Sequence, residues 1–317
     1  MLKRRITPRR LRAYLGRSTL AAAAGLAVLG AGAWSAPAIS AIQNQTLHLV
    51  HVHTARSAGT VAATNSSCWQ STNWSGYAVS TTAAMGCVPA SGVSAYTSVS
   101  GTWTVPTVTG SSGGGGLLGG LLGGSSTYSA VWTGIDGFNT GDTNLIQAGT
   151  EQDVVNGTPQ YSAWWEILPA PETAIPNLSV QPGDSITVTI DQVSSGTWNI
   201  AMTDTRGANV QSFNTTQSYS GALSSAEWIV EAPTVNGTQS ALANYGSDVF
   251  DHGSVNGAPV VLQSGTGGEM VTQSGGILGI GGSTTVISVP STPDTGTPAG
   301  DGFACAYGSK QPAPPSS

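Results

Sequence analysis

The sequence predicts an all-β protein whose antiparallel strands pack face to face as a sandwich. Three observations carry the prediction. From Trp74 onward, short runs rich in Val, Thr, Tyr, Trp and Ile alternate with turns of Gly, Ser, Asn and Asp, the pattern of many short antiparallel strands. Charged residues make up only 8% of the 317 positions while glycine reaches 43, which leaves little room for long charged helices. No helical period of useful length appears, which favours one sandwich or barrel over an alternating α/β fold.

Taken in order, residues 1–40 read as an export segment. Seven of the ten Lys and Arg lie between Lys3 and Arg17, and an apolar run follows from Leu20 to Trp34. A basic head before a short apolar stretch is the signature of a secretory signal peptide. The run is short and rich in Ala and Gly for a membrane span, and Ala36-Pro37-Ala38 supplies small residues for cleavage. The alternative is a single N-terminal anchor. Residues 41–68 read as an N-terminal extension or short propeptide, and hold His48, His51 and His53. In the propeptide reading, the histidines charge in acid and release it.

The domain proper is expected over 69–309. Its candidate strands are Trp74 to Val79, Thr97 to Val105, Ser129 to Ile135, Tyr161 to Ile167, Ser185 to Asp191, Thr197 to Thr203, Ala226 to Glu231 and Thr284 to Val289. Two glycine-rich inserts, 110–126 and 265–283, read as loops. Residues 310–317 form a polar, Pro-rich tail.

Charge and cysteine usage bound the chemistry. All 16 Asp and Glu lie at or beyond Asp136, and only Arg56, Arg206 and Lys310 follow the basic head. Without the head, three bases face 16 acids, a net charge of −13. So acidic a body argues against a nucleic-acid partner. So few bases also limit the positive self-repulsion that drives acid unfolding. Cys68, Cys87 and Cys305 allow one disulfide and one leftover thiol in an exported chain, with the pairing open. No Cys-x-x-Cys or Cys/His ligand spacing points to a structural zinc site.

Elimination narrows the reaction type. A Ser-His-Asp or Cys-His mechanism needs a histidine in the folded domain, and only His252 lies there. There is no Gly-x-Ser-x-Gly elbow, no metal-ligand cluster, and no phosphate loop with a Lys-Ser/Thr ending. Asp294-Thr295-Gly296 occurs once, after Pro293, whereas a shared-proton aspartate mechanism needs two carboxylates. What remains is carboxylate and amide chemistry on strands. Alternation puts Glu227, Ile229 and Glu231 on one face, Trp164 with Glu166, and Gln147 with Leu145 and Gly149. Carboxylates on strands beside Trp and Ile are costly unless paired or hydrogen-bonded, so together they suggest a cleft with acid/base groups and an aromatic floor.

Seven ordered segments carry a more specific signal. They are Asn73-Trp74-Ser75-Gly76, Gly101 to Pro106, Trp132 to Gly137, Ile146-Gln147-Ala148-Gly149, Ala163 to Glu166, Gly183-Asp184 and Ala226 to Glu231. In this order the chain resembles the glutamic peptidases, also called eqolisins. The resemblance implies two large antiparallel sheets of about seven strands each, in a jelly-roll or concanavalin-like sandwich. It implies Gln147 and Glu231 as the catalytic pair, with Trp74, Trp132, Asp136, Trp164 and Glu166 lining the substrate cleft. It also implies a secreted monomeric endopeptidase acting on polypeptides in acid, with no metal, cofactor or stable membrane association. Glu231 would take a proton from the attacking water and Gln147 would stabilise the oxyanion. The chain departs from the family at Thr150-Glu151, where an aspartate is usual, and at Ala232-Pro233, where Asp-Phe is usual. Two other readings compete: a glycoside hydrolase or sugar-binding jelly roll using Glu166 and Glu231, and a non-catalytic adhesive domain.

Overall fold

A computed structural model describes residues 49–51, 55–56, 67–110, 126–274 and 283–316. The predicted export segment, most of the N-terminal extension, and the centres of both glycine-rich inserts lie outside these residues. Among the described residues there is no helix.

In chain order the strands begin with β1 Leu49–Val50, β2 Ala55–Arg56, β3 Ser67–Ser71, β4 Trp74–Ser80, β5 Ser98–Thr104, β6 Ala130–Ile135 and β7 Ile146–Val155. Next come β8 Thr158–Ile167, β9 Thr173–Ala174, β10 Ser185–Ser194, β11 Thr197–Arg206, β12 Asn209–Ser218 and β13 Ser225–Glu231. The remainder are β14 Thr234–Val235, β15 Thr238–Gln239, β16 Ser247–Val255, β17 Ala258–Pro259, β18 Gly267–Ser274, β19 Ser283–Pro290 and β20 Phe303–Tyr307. Every predicted strand is present. β12 and β16 were not expected, because the inward side of each carries one Phe among non-apolar residues: Gln211, Phe213, Thr215 and Gln217 on β12, and Asp248, Phe250 and Gly253 on β16.

Antiparallel ladders run β9-β8-β7-β6-β13-β4-β18 and, through the β18–β19 pair, on to β20, β16, β5, β10, β11 and β12. These strands, with β2, β3 and β17, form one continuous hydrogen-bonded network of 17 strands, and β1, β14 and β15 form a separate three-stranded sheet, so the strand count differs from about seven per sheet. The network folds over itself so that β5 and β10 pack on β6, β7 and β13. One parallel pair, β3 with β18, interrupts the antiparallel rule.

The interior is filled from both layers by Tyr77, Trp103, Val131, Ile135, Ile146, Ala148, Trp198, Trp228 and their neighbours. Trp228 donates its indole N–H to the Ser100 carbonyl at 2.8 Å, which ties the layers together. Burying a side chain of that size is worth about 5 kcal/mol at roughly 25 cal/mol per Å². The alternate residues of β4, β6, β7, β8 and β13 point the other way. They form a second apolar cluster around Trp69, Trp74, Trp132, Phe138, Leu145, Trp164 and Ile229. Both faces of the central strands are therefore buried, so they read as apolar runs rather than a clean alternation.

Two further results revise or complete the sequence reading. The second glycine-rich insert is not all loop: it opens as β18, with Gly268 to Val271 buried. Gly268 is required there, because the Trp69 ring occupies the space a Cβ would need. The disulfide joins Cys68 and Cys87, leaving Cys305 as the buried thiol.

Gly149 is another position that admits no side chain. It pairs with Trp132, and a Cβ would be driven into the Val131 carbonyl and the Trp132 Cβ. Gly149→Ala should therefore destabilise the fold by about 3 kcal/mol, the upper range for overpacking. Urea titration of the two proteins checks this, and unchanged stability would contradict the close approach of β6 and β7.

Candidate active site

The second apolar face carries the chemistry, and strand register explains how. On β13, Glu231 pairs with Trp74 of β4 and Ala130 of β6. On β7, Glu151 stands opposite Ala130, and Gln147 stands opposite Gly134. On β8, Glu166 stands opposite Gln147. Because side chains alternate, Gln147, Gly149 and Glu151 share the face that also holds Trp132, Trp164, Glu166 and Glu231. All of these side chains are buried.

Donors converge on Glu231. Asn73 Nδ2 donates to its Oε1 at 3.2 Å, and Trp132 Nε1 donates to its Oε2 at 2.8 Å. Trp74 meets Trp132 edge-on, with ring centroids 4.7 Å apart, and so fixes the indole that holds the carboxylate. Gln147 Nε2 donates to Glu166 Oε2 at 2.6 Å. Burial pushes the Glu166 carboxyl up to about 8, so in acid it is neutral. Burial likewise raises Glu151 and Asp153, which stand beside each other.

A segment of the chain itself lies in this cleft. β1 pairs with β14, Leu49 opposite Val235 and Val50 opposite Thr234. His51 then inserts its ring over Trp164, with centroids 3.9 Å apart and planes within 4°. Its Nδ1 lies 3.1 Å from Glu231 Oε2, and its Nε2 lies 3.2 Å from Glu151 Oε1 and 3.5 Å from Glu172 Oε2. Its main chain is bound too: the N–H donates to Glu166 Oε2 at 3.3 Å, and the carbonyl accepts from Gln147 Nε2 at 3.1 Å. Burial alone would disfavour the charged ring, but the Glu231 carboxylate and the hydrogen bonds of Glu151, Glu172 and Glu231 hold its pKa well above the usual value. This reverses the expected sign at His51. Charging the ring strengthens its hold on the cleft, and only neutralised carboxylates would loosen it. His252, the histidine expected inside the domain, is exposed and lies beside Asp251.

The structure thus gathers Gln147, Glu231, Trp74, Trp132, Trp164 and Glu166 into one region. Asp136 is not among them. Its backbone turns with φ of 71°, and its carboxylate accepts from Tyr219 Oη at 2.6 Å, Leu223 N at 2.9 Å and Ser224 N at 2.7 Å. It anchors the loop that leads into β13. Asp184 is likewise tied up, by Arg206, which lowers its pKa. Glu227, on the same strand face as Glu231, is buried and raised by desolvation.

Sequence reasoning did not assign His51, Asn73, Glu151 or Glu172. Glu151 was within reach, since it lies four residues beyond Gln147 and so on the same face. His51, Glu151 and Glu172 each point one ligand atom into a common space. The imidazole nitrogens there already face carboxylates, so the group is an imidazole–carboxylate cluster.

The sequence matches the Peptidase A4 family over residues 72–289. The chain belongs to that family. Aspergillopepsin-2 of Aspergillus niger is 32% identical over 169 residues, 49% of this chain and 58% of that protein. Scytalidopepsin B of Scytalidium lignicola is 32% identical over 111 residues, 34% of this chain and 41% of that protein. The chain thus spans less than two thirds of either relative in these matches. Among solved structures, scytalido-glutamic peptidase with a peptide-based transition-state analogue gives 20% identity and a TM-score of 0.48, covering 74% of this chain and 98% of that one. Aspergilloglutamic peptidase from Aspergillus niger gives 21% and 0.41, covering 57% and 99%.

The buried carboxyls set the pH dependence of stability. Glu166 titrates near 8 in the fold but near about 4.3 in an unfolded chain. Between those values the native state binds more protons than the unfolded one, so stability falls as pH rises. The raised Glu151, Glu227 and Asp248 and the raised His51 act in the same direction. Thermal midpoints should therefore be highest near pH 4 and fall steadily toward pH 8, and Glu166→Gln should flatten the upper part of that slope. A midpoint that climbs toward neutrality would contradict this account.

Proposed function

We propose that this chain is a secreted, acid-acting endopeptidase that attacks peptide bonds with water directly, using Glu231 and Gln147. The observation that carries the reading is the geometry of the bound segment: Gln147 Nε2 donates to the carbonyl of a peptide whose residue also contacts Glu231. The family membership, the export-type N-terminus and the acid-suited carboxyls support it.

Glu231, as general base, takes a proton from a water whose oxygen bonds to the scissile carbonyl carbon. The carbonyl electrons move to oxygen, and the Gln147 amide N–H donates to the oxyanion, worth about 3–4 kcal/mol for one such donor. The oxyanion then collapses, the C–N bond breaks, and Glu231 returns the proton to the leaving nitrogen. Glu166 acts as a positioning residue. Its Oε2 takes one hydrogen of the Gln147 amide, which leaves the other directed at the substrate carbonyl. Trp132 and Asn73 hold Glu231 in place from both oxygens. The glycosidase alternative called for a Gln147 remote from the carboxylates, and its amide instead lies 2.6 Å from Glu166.

Assayed on acid-denatured protein between pH 2 and 5, Gln147→Ala should lose about a hundredfold to a thousandfold in kcat. Glu231→Gln should lose at least as much, within the roughly 10²–10⁴ range of general acid–base catalysis. Substantial hydrolysis by either folded variant would sink the assignment of the pair.

A further inference from the structure

The cleft contains a side-chain pocket that the catalytic pair does not account for. Its floor is the flat face of Trp164, and its walls are Glu151, Glu172 and Glu231. Its occupant is the buried ring of His51. The occupant is held as a peptide, not merely as a ring. Leu49 and Val50 add a strand to β14, Glu172 N reaches the Leu49 carbonyl at 3.5 Å, and the His51 N–H and carbonyl meet Glu166 and Gln147. Extended peptides are captured by this strand addition in many recognition sites, with pockets reading individual side chains.

The chemistry of the pocket is selective. Both nitrogens of the ring face carboxylate oxygens, at 3.1 Å on one side and at 3.2 Å and 3.5 Å on the other. A group with N–H on both edges, an imidazolium, can donate to all of them together, whether or not Glu151 carries its own proton. The stacked geometry on Trp164 suits a flat cation as well. A guanidinium has the same planarity and in-plane donors, whereas an ammonium is a point charge. An alkyl side chain would leave the carboxyl groups without partners in a dry pocket.

We propose that Trp164, Glu151 and Glu172 form a subsite that selects a planar cationic side chain, histidine first and arginine next, on the residue immediately before the scissile bond. The position follows from the carbonyl: the residue whose ring fills the pocket is the one whose C=O takes the Gln147 amide. The high pKa of the buried His51 ring fits the same picture. The proposal rests on reading the cleft as that of a peptidase.

The test is to digest a denatured protein mixture with the acid-activated full chain and sequence the products, scoring the residue before each cut. Histidine should be enriched about tenfold over its abundance, in line with one or two charge-assisted hydrogen bonds, with arginine second. In Glu172→Gln, whose wild-type side chain is 15% exposed and so tolerates exchange, the enrichment should drop at least threefold. Glu151→Gln should do the same. Matched peptides differing only in His or Leu before the cut should show the change as a ratio of kcat/KM. Cutting with no excess of His or Arg overturns the subsite while leaving the peptidase reading intact. Enrichment that survives both substitutions overturns the assigned walls. A wild-type chain that cuts nothing overturns the peptidase reading, and the subsite with it.

Discussion

The arrangement of the site depends on the close approach of β6 and β7 at Gly149. The register places Gly149 beside Trp132, and the absence of a Cβ lets the two backbones come together. The Trp132 indole then runs along the cleft face to Glu231 Oε2, with Trp74 against its edge. The same contact fixes β7 relative to β13, since β6 lies between them. Glu231 and Gln147 sit on strands that never pair. Their separation is therefore a property of the ladder and not of any side-chain contact between them. Rigid strands hold a catalytic geometry better than loops do.

A second constraint is the cost of burying so many carboxyls. A dry strand face cannot hold Glu151, Asp153, Glu166 and Glu227 all charged. Burial keeps these groups protonated well above the ordinary carboxylate range. A neutral Glu166 can sit beside Gln147 without competing for the base role proposed for Glu231. The scarcity of Lys and Arg in the body acts in the same direction, because little positive charge accumulates when the acids are neutralised. The buried carboxyls that stay neutral in acid are thus also ones that make the fold weaker at neutral pH.

Much of the fold was legible because β-strands declare themselves locally. The runs at Trp74, Thr97, Ser129, Tyr161 and Ala226 combine β-branched and aromatic residues with Gly and Asn turns. β12 was hidden because Asn209–Ser218 is largely Asn, Gln, Ser and Thr, so its pairing with β11 comes from the ladder rather than from an apolar stripe. β18 was hidden by the glycines at its start, of which Gly268 admits the Trp69 ring. The site was less legible. Alternation could group Gln147 with Glu151, or Glu231 with Ile229, but could not say which glutamate faces which strand. The ordered motifs singled out Gln147 and Glu231, and at Asp136 a left-handed turn diverts the side chain away from the cleft to the 223–224 loop.

His51 shows where local reading ends. Its neighbours suggest an extension with three histidines, and composition alone made charging look like a trigger for release. Its partners are Glu231, Glu166, Gln147, Glu151 and Glu172, at least 96 residues away in sequence. The sign of a titration is set by what surrounds the group in the folded state, not by the group. An imidazole facing three carboxyl groups gains from its proton. The pH response of the N-terminal segment therefore belongs to the carboxyls of β7, β8, β13 and Glu172, the same groups that make up the active face. Occupancy of the cleft by His51 is thereby governed by the protons of those carboxyls.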